Sequence, residues 1–146
     1  MDGRPCVAKD VKRAFELATA GAALGCAHSK GVLGYCYVWG CGVPKDAARG
    51  LALARESAAA GSCFGQFVVG KCYDAGWGVA QDYAEAVRLY RLSAAQGYAR
   101  AQNNLGTMFE NGKGVAQDRA EAIRFYRLAA AQGHANATTA LKRLGV

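Results

Sequence analysis

Between residues 98 and 110 the apolar positions Ala101, Leu105, Met108 and Phe109 recur at i, i+4, i+7 and i+8, which lines up one face of a helix. A second stripe follows at Ala122, Phe125, Tyr126, Ala129 and Ala130, and it stops at Gly133. The segment between the stripes is polar and glycine-bearing. Gly112 stands where a left-handed helix cap belongs, and Gly114 keeps the connection tight. Asp118 occupies an N-cap position with Glu121 three residues on, as Asp82 has Glu85; this is the Asp/Glu form of a capping box. The pattern predicts two short helices joined by a tight linker. Neither can bury its stripe alone, so the pair must stack on something else.

That something is a copy of itself. Residues 61–96 and 97–132 are identical at 19 of 36 positions without a gap, and 25–60 match 61–96 at 15 of 36. Asp10, Asp46, Asp82 and Asp118 keep the same register, as do Gly25, Gly61, Gly97 and Gly133. A period of 36 is the length of one supersecondary unit stacked on its neighbours. Val43, Val79 and Val115 recur in the linkers and are expected to plug the gap between paired helices. Gly34, Gly70 and Gly106 recur inside the first helix of each unit. A mid-helix glycine costs about 1 kcal/mol relative to alanine, so its recurrence points to close approach of the partner helix.

These residues spell A-x-x-x-L-G-x-x-[MF]-x-x-G-x-G-V-x-x-D-x-x-x-A-x-x-x-Y-R-x-A-A-x-x-G, nearly whole at 101–133 and well kept at 65–97. The run resembles the Sel1-like repeat, a relative of the tetratricopeptide repeat. It is weaker at 29–61, where Ser29 replaces Ala, Gly50 replaces Ala and Ala54 replaces Tyr. The resemblance implies an all-α fold, a right-handed α-solenoid of antiparallel helix pairs. It also implies an adaptor or scaffold role in multiprotein complexes, and no catalysis.

Residues 1–146 then form a single repeat domain: a half repeat at 10–24, full repeats at 25–60, 61–96 and 97–132, and a C-terminal capping helix in 133–146. About eight helices are expected. Lys142 replaces the packing glycine and Gly145 the aromatic, which makes the last helix a polar cap. At the other end Phe15 and Leu17 lie where a preceding helix would cover them, so that end is expected to fray or to dock, an end-to-end dimer included.

Composition agrees with this picture. The chain holds 31 Ala and 19 Gly against 2 Pro, and is 52% hydrophobic. No run approaches the roughly 18 to 20 apolar residues of a membrane span, and MDGRPCVAKDVKR lacks the apolar core of a secretory signal. The net charge of +7 is spread evenly along the chain. Arg55, Arg91 and Arg127, with Arg88 and Arg124 one turn earlier, form a row along the second helices. A repeated sequence repeats its surface charges, so this row reads first as a solvated face. Its alternative is electrostatic binding of nucleic acid or an acidic partner.

Catalytic and cofactor chemistry is sparse. The G-x-G turns lack the Lys-Ser/Thr of a phosphate loop, and the acid pairs are explained as caps. Cys36 and Cys72 share the packed position of Met108 and are expected to be buried thiols. Some secreted relatives of the Sel1-like type pair cysteines eight residues apart, and the corresponding positions here are not cysteine. A zinc site from Cys26, His28, Cys36 and Cys41 has no finger-like spacing. No metal or cofactor is expected. The even number of cysteines, six, is taken as incidental, and the setting as reducing and cytoplasmic.

The working surface is expected on the concave side formed by first helices, where residues differ between repeats while packing residues agree. These positions are His28, Gly31, Tyr35 and Val38; Phe64, Phe67, Lys71 and Asp74; and Arg100, Asn103, Thr107 and Glu110. Tyr35, Phe64, Phe67, Lys71, Arg100, Asn103 and Thr107 are the candidate contacts for a protein or peptide partner. Phe64 and Phe67 are expected anchors, because repeat 97–132 has Arg100 and Asn103 there. Local packing against His28 or Tyr35 is the competing explanation for them. Trp77, in a linker, is a weaker candidate of the same kind.

Overall fold

A computed structural model describes residues 10–146, which form eight α-helices. They are α1 (Val11–Ala23), α2 (Ala27–Trp39), α3 (Ala47–Ala59), α4 (Cys63–Ala75), α5 (Tyr83–Ala95), α6 (Ala99–Asn111), α7 (Arg119–Ala131) and α8 (Ala135–Leu144). The first helices α2, α4 and α6 stop on Gly40, Gly76 and Gly112, at φ of 72°, 72° and 63°. Only glycine adopts this conformation without strain. The second helices start where the sequence places them. The Asp46, Asp82 and Asp118 carboxylates accept hydrogen bonds from the backbone N–H groups of Arg49, Glu85 and Glu121.

The other half of the capping box is different. The Glu85 carboxylate is gripped by Arg88 at 3.0 Å, and that of Glu121 by Arg124 at 2.9 Å. An arginine three residues ahead offers a charge-assisted fork, a stronger partner than a backbone N–H.

The helices group into two compact units, one ending at Gln81 and one spanning Asp82–Val146. In the first, α1 packs on α2, α2 on α3, and α4 on both α2 and α3. Ala18, Leu33 and Tyr37 form a core joined by Phe15, Val32, Val43 and Leu53. Phe15 meets Tyr37 edge-on at 5.8 Å, so it is packed within this unit, whereas Leu17 stays 63% exposed. The α2–α3 contact is backbone against backbone. A Cβ on Gly34 would come 2.7 Å from the Gly50 carbonyl oxygen, and one on Gly50 would come 2.6 Å from that of Gly34. Gly50, a departure from the repeat in sequence, is the partner that lets Gly34 approach.

Ser57 of α3 is fully buried, and its Oγ has no hydrogen-bond partner among the described residues. It presses on two glycines: a Cβ on Gly31 would lie 2.7 Å from this Oγ, and Gly65 is closer still. Leaving a hydroxyl desolvated and unpaired costs about 1 to 3 kcal/mol. Ser57→Ala removes that cost and gains helix propensity, against a small void. The expected result is a gain of about 1 kcal/mol in chemical denaturation. A lower midpoint for the variant would contradict it.

In the second unit α6 packs on α5 and α7, and α8 closes against α7. Ala101, Leu105, Met108 and Phe109 are buried, as their spacing predicts, with Ala122, Tyr126 and Ala129 facing them. Gly106 makes room for a ring here: its Cβ would fall 2.8 Å from Tyr126 Cδ1. On α8 Ala137 and Ala140 are buried, and the remaining positions are half-buried or exposed.

Candidate functional site

In the first unit the first helices carry a chain of aromatic rings. Tyr35 stacks on Trp39, one turn ahead on α2, at 4.3 Å between centroids. Phe64 of α4 reaches across to Tyr35 at 5.7 Å and His28 at 5.5 Å. Trp39 meets Trp77 edge-on at 5.2 Å, with Lys45 and Lys71 over the Trp77 ring at 5.3 and 6.0 Å. Lys71 also lies 3.9 Å from Asp74. His28 is exposed, while Tyr35, Trp39, Phe64, Lys71 and Trp77 are half-buried. Phe64 thus packs on His28 and Tyr35, as the competing explanation has it, and is still half-exposed.

Phe67 is a correction. At 5% exposure it is a packing residue behind Phe64, 6.4 Å away, and not a surface anchor. Gly31 and Val38, also expected on this face, are buried too. Each sits where the first helix meets its neighbours: Gly31 beside Ser57, and Val38 beside Gly50. Trp39 is a member that sequence reasoning missed, although its spacing of four from Tyr35 put it on the same helical face.

In the second unit the corresponding face is polar. Asn103 and Thr107 of α6 line a pocket of about 470 Å³ with Glu110, Asn111, Tyr126 and residues of α8. At its centre, Glu110 accepts a hydrogen bond from the Tyr126 hydroxyl at 2.7 Å and another from Arg143 at 2.8 Å. The Arg143 guanidinium holds the Glu110 carboxyl below its ordinary range, against the opposing effect of burial, with Tyr126 assisting. Burial, reinforced by that carboxylate, pushes the Tyr126 phenol up to about 12. Thr107 Oγ1 lies 3.1 Å from the same hydroxyl. Arg100 is exposed. His134 caps α8 by accepting from the Ala137 N–H, and burial and the Arg100 charge lower its proton affinity. Arg143, the missed member of this group, stands in a helix whose sequence departs from the repeat.

The arginine row is not a uniform charged stripe. Arg88 and Arg124 are ion-paired with Glu85 and Glu121. Arg55 lies over the Tyr73 ring and donates to its hydroxyl at 3.1 Å, and Arg91 lies over Phe109 at 5.7 Å.

Cys36 and Cys72 are buried free thiols, as their packed position implies, and burial raises Cys72 to about 11. Such thiols are poor nucleophiles and poor metal ligands at neutral pH. Cys41 is different: it is disulfide-bonded. The zinc combination of Cys26, His28, Cys36 and Cys41 therefore loses one of its ligands, while Cys26, Cys36, Cys63 and Cys72 are free thiols. The bond does not follow the eight-residue pattern, because the residues eight away from Cys41 are Leu33 and Arg49.

Antiparallel helix pairs recurring at a fixed period, with glycine ends and aspartate starts, define an all-α solenoid repeat protein. Comparison with protein families matches the Sel1 repeat model at residues 1–26, 32–62, 64–98 and 99–134. The chain belongs to the Sel1 repeat family. Among solved structures it is similar to a protective antigen of uropathogenic Escherichia coli displaying an SLR fold, at 35% identity and a TM-score of 0.74, covering 86% of this chain and 27% of that one. A Sel1 repeat protein from Oxalobacter formigenes is 30% identical with a TM-score of 0.78, covering 92% of this chain and 55% of that one. This chain therefore spans only part of the length of both. Cysteine rich protein B of Helicobacter pylori, 21% identical over 95% of this chain and 100% of that one, shares the fold at a TM-score of 0.69. No curated protein matches closely enough to count as a relative. The family is one of non-catalytic repeat scaffolds that generally carry protein–protein interactions.

Proposed function

We propose that this chain is a scaffold that binds a partner peptide or helix on the concave faces formed by its first helices. The observation that carries the reading is the ring chain of the first unit. Tyr35, Trp39, Phe64 and Trp77 are large, mutually supported and partly exposed, which is the make-up of interface anchors. The rings brace one another, so little side-chain freedom is lost on binding. The polar pocket lined by Asn103 and Thr107 offers hydrogen-bonding groups of the kind that fix a bound segment's orientation.

The test is recovery of partners from a lysate on the immobilised protein and on a Tyr35→Ala/Phe64→Ala variant of unchanged circular dichroism. Partner recovery is expected to fall about tenfold or more, the size of one or two anchor residues. Equal recovery from both proteins would eliminate the site. Phe67 is left intact in this variant because its removal would test folding.

Binding of nucleic acid through the arginine row is less well supported, since Arg88 and Arg124 already have counter-charges. The setting stands as a separate proposal, reducing and cytoplasmic, with the Cys41 disulfide as an argument for an oxidising one. Binding through these faces is compatible with either setting. No helix among the described residues is long and apolar enough to cross a membrane.

A further inference from the structure

On the second-helix side of the unit Asp82–Val146, α5 and α7 both pack on α6 and leave a groove of about 610 Å³ between them. The volume lies in the roughly 300 to 1,000 Å³ range of ligand sites. On the α5 side Ala94 and Ala95 are too small to fill the gap, and the third α5 residue there, Arg91, carries the charge. Its floor is Leu105 and Phe109 of α6, and its α7 wall carries Phe125 and Leu128. Phe109 and Phe125 stack with an interplanar angle of 8° and centroids 5.8 Å apart. Leu128 remains 43% exposed on the rim.

The charges around this apolar slot have one sign to spare. Arg124 lies over the Phe125 ring at 4.2 Å and is neutralised by Glu121. Arg91 lies over the Phe109 ring and, among the described residues, has no acidic partner. A cation set beside an apolar slot with no carboxylate to meet it complements an apolar side chain that carries a carboxylate next to it.

We propose that this groove is a second binding site, taking an acidic peptide segment in which an aromatic or aliphatic anchor is flanked by Asp or Glu. The anchor enters between Phe125 and the α5 alanines, and the carboxylate pairs with Arg91. The site shares none of its lining residues with the pocket around Asn103 and Thr107, so it would let one chain hold two different partners.

The experiment selects peptides from a short random library on the immobilised whole chain. The selected peptide is then titrated by fluorescence anisotropy against wild type, Arg91→Glu, Ala95→Trp and Phe64→Ala. Ala95 is exposed, so a tryptophan there fills the groove from its rim without entering the core. Selection is expected to yield anchors flanked by acids. Affinity should fall about tenfold for Arg91→Glu and at least as much for Ala95→Trp, with thermal unfolding unchanged. Phe64→Ala should bind as wild type, which keeps this result separate from the fate of the concave face. The proposal is overturned if selection gives no acidic consensus, or if Arg91→Glu and Ala95→Trp bind the peptide normally. It is equally overturned if a single-stranded oligonucleotide binds in an Arg91-dependent way while the acidic peptide does not.

Discussion

Gly34→Ala is expected to destabilise the protein by about 1 to 3 kcal/mol, although the same change in an ordinary helix stabilises it by about 1. The sign is set by what the new methyl meets. At 2.7 Å from the Gly50 carbonyl oxygen and 2.9 Å from the Ala54 nitrogen, it strikes backbone on a neighbouring helix. Backbone atoms cannot swing aside as a side chain does, so α2 and α3 must part along their length. Gly34→Leu should go further and abolish cooperative unfolding of the first unit. Thermal melts followed by circular dichroism measure both. An alanine variant as stable as the wild type would show that α2 and α3 separate freely.

Tyr126→Ala is expected to cost about 3 to 5 kcal/mol, the usual range for truncating a large buried aromatic. The ring fills the space that Gly106 leaves on α6, and the hydroxyl serves Glu110 from a buried position. Tyr126→Phe separates the two contributions. It keeps the ring and removes one hydrogen bond to a charged acceptor, for an expected loss of about 1.5 to 3 kcal/mol. Arg143 still neutralises Glu110 in that variant, which favours the lower end of the range. Denaturant unfolding of the three proteins should therefore rank wild type, Phe and Ala in that order. A Phe variant as unstable as the Ala variant would place the whole effect in the hydroxyl.

Periodic features were legible in the sequence because each copy constrains the others. The α6 stripe, the Asp118 cap and the Gly112 terminus stand where the spacing puts them. The Glu85 and Glu121 side chains do not follow their motif, because the competing arginines lie outside the four positions that define it. The candidate surface was legible only in part. Position alone marked Tyr35, Phe64, Asn103 and Thr107 as first-helix residues between packing positions. It could not say that Phe67 turns inward, since a residue beside a packing position can rotate either way with a small change in helix placement. The Glu110–Tyr126–Arg143 group joins three helices, and one of them is a departure from the repeat, so no repeated position announces it. The Cys41 disulfide and the α5–α7 groove were invisible for a similar reason: one is a single event, and the other is a space left by two small residues.

The two kinds of helix contact bear on how this chain could be re-engineered. Gly34 faces Gly50 and Ala54, whereas Gly106 faces Ala122 and Tyr126 at the same repeat positions. Grafting α7 onto α2 would drive the extra methyl of Ala122 and the ring of Tyr126 into the place where two backbones touch. Grafting α3 onto α6 would leave a hole the size of a phenol. Equal length and shared motifs make the repeats look like exchangeable modules, but each pair is keyed to its own partner. A consensus unit averaged over them would fit neither lock.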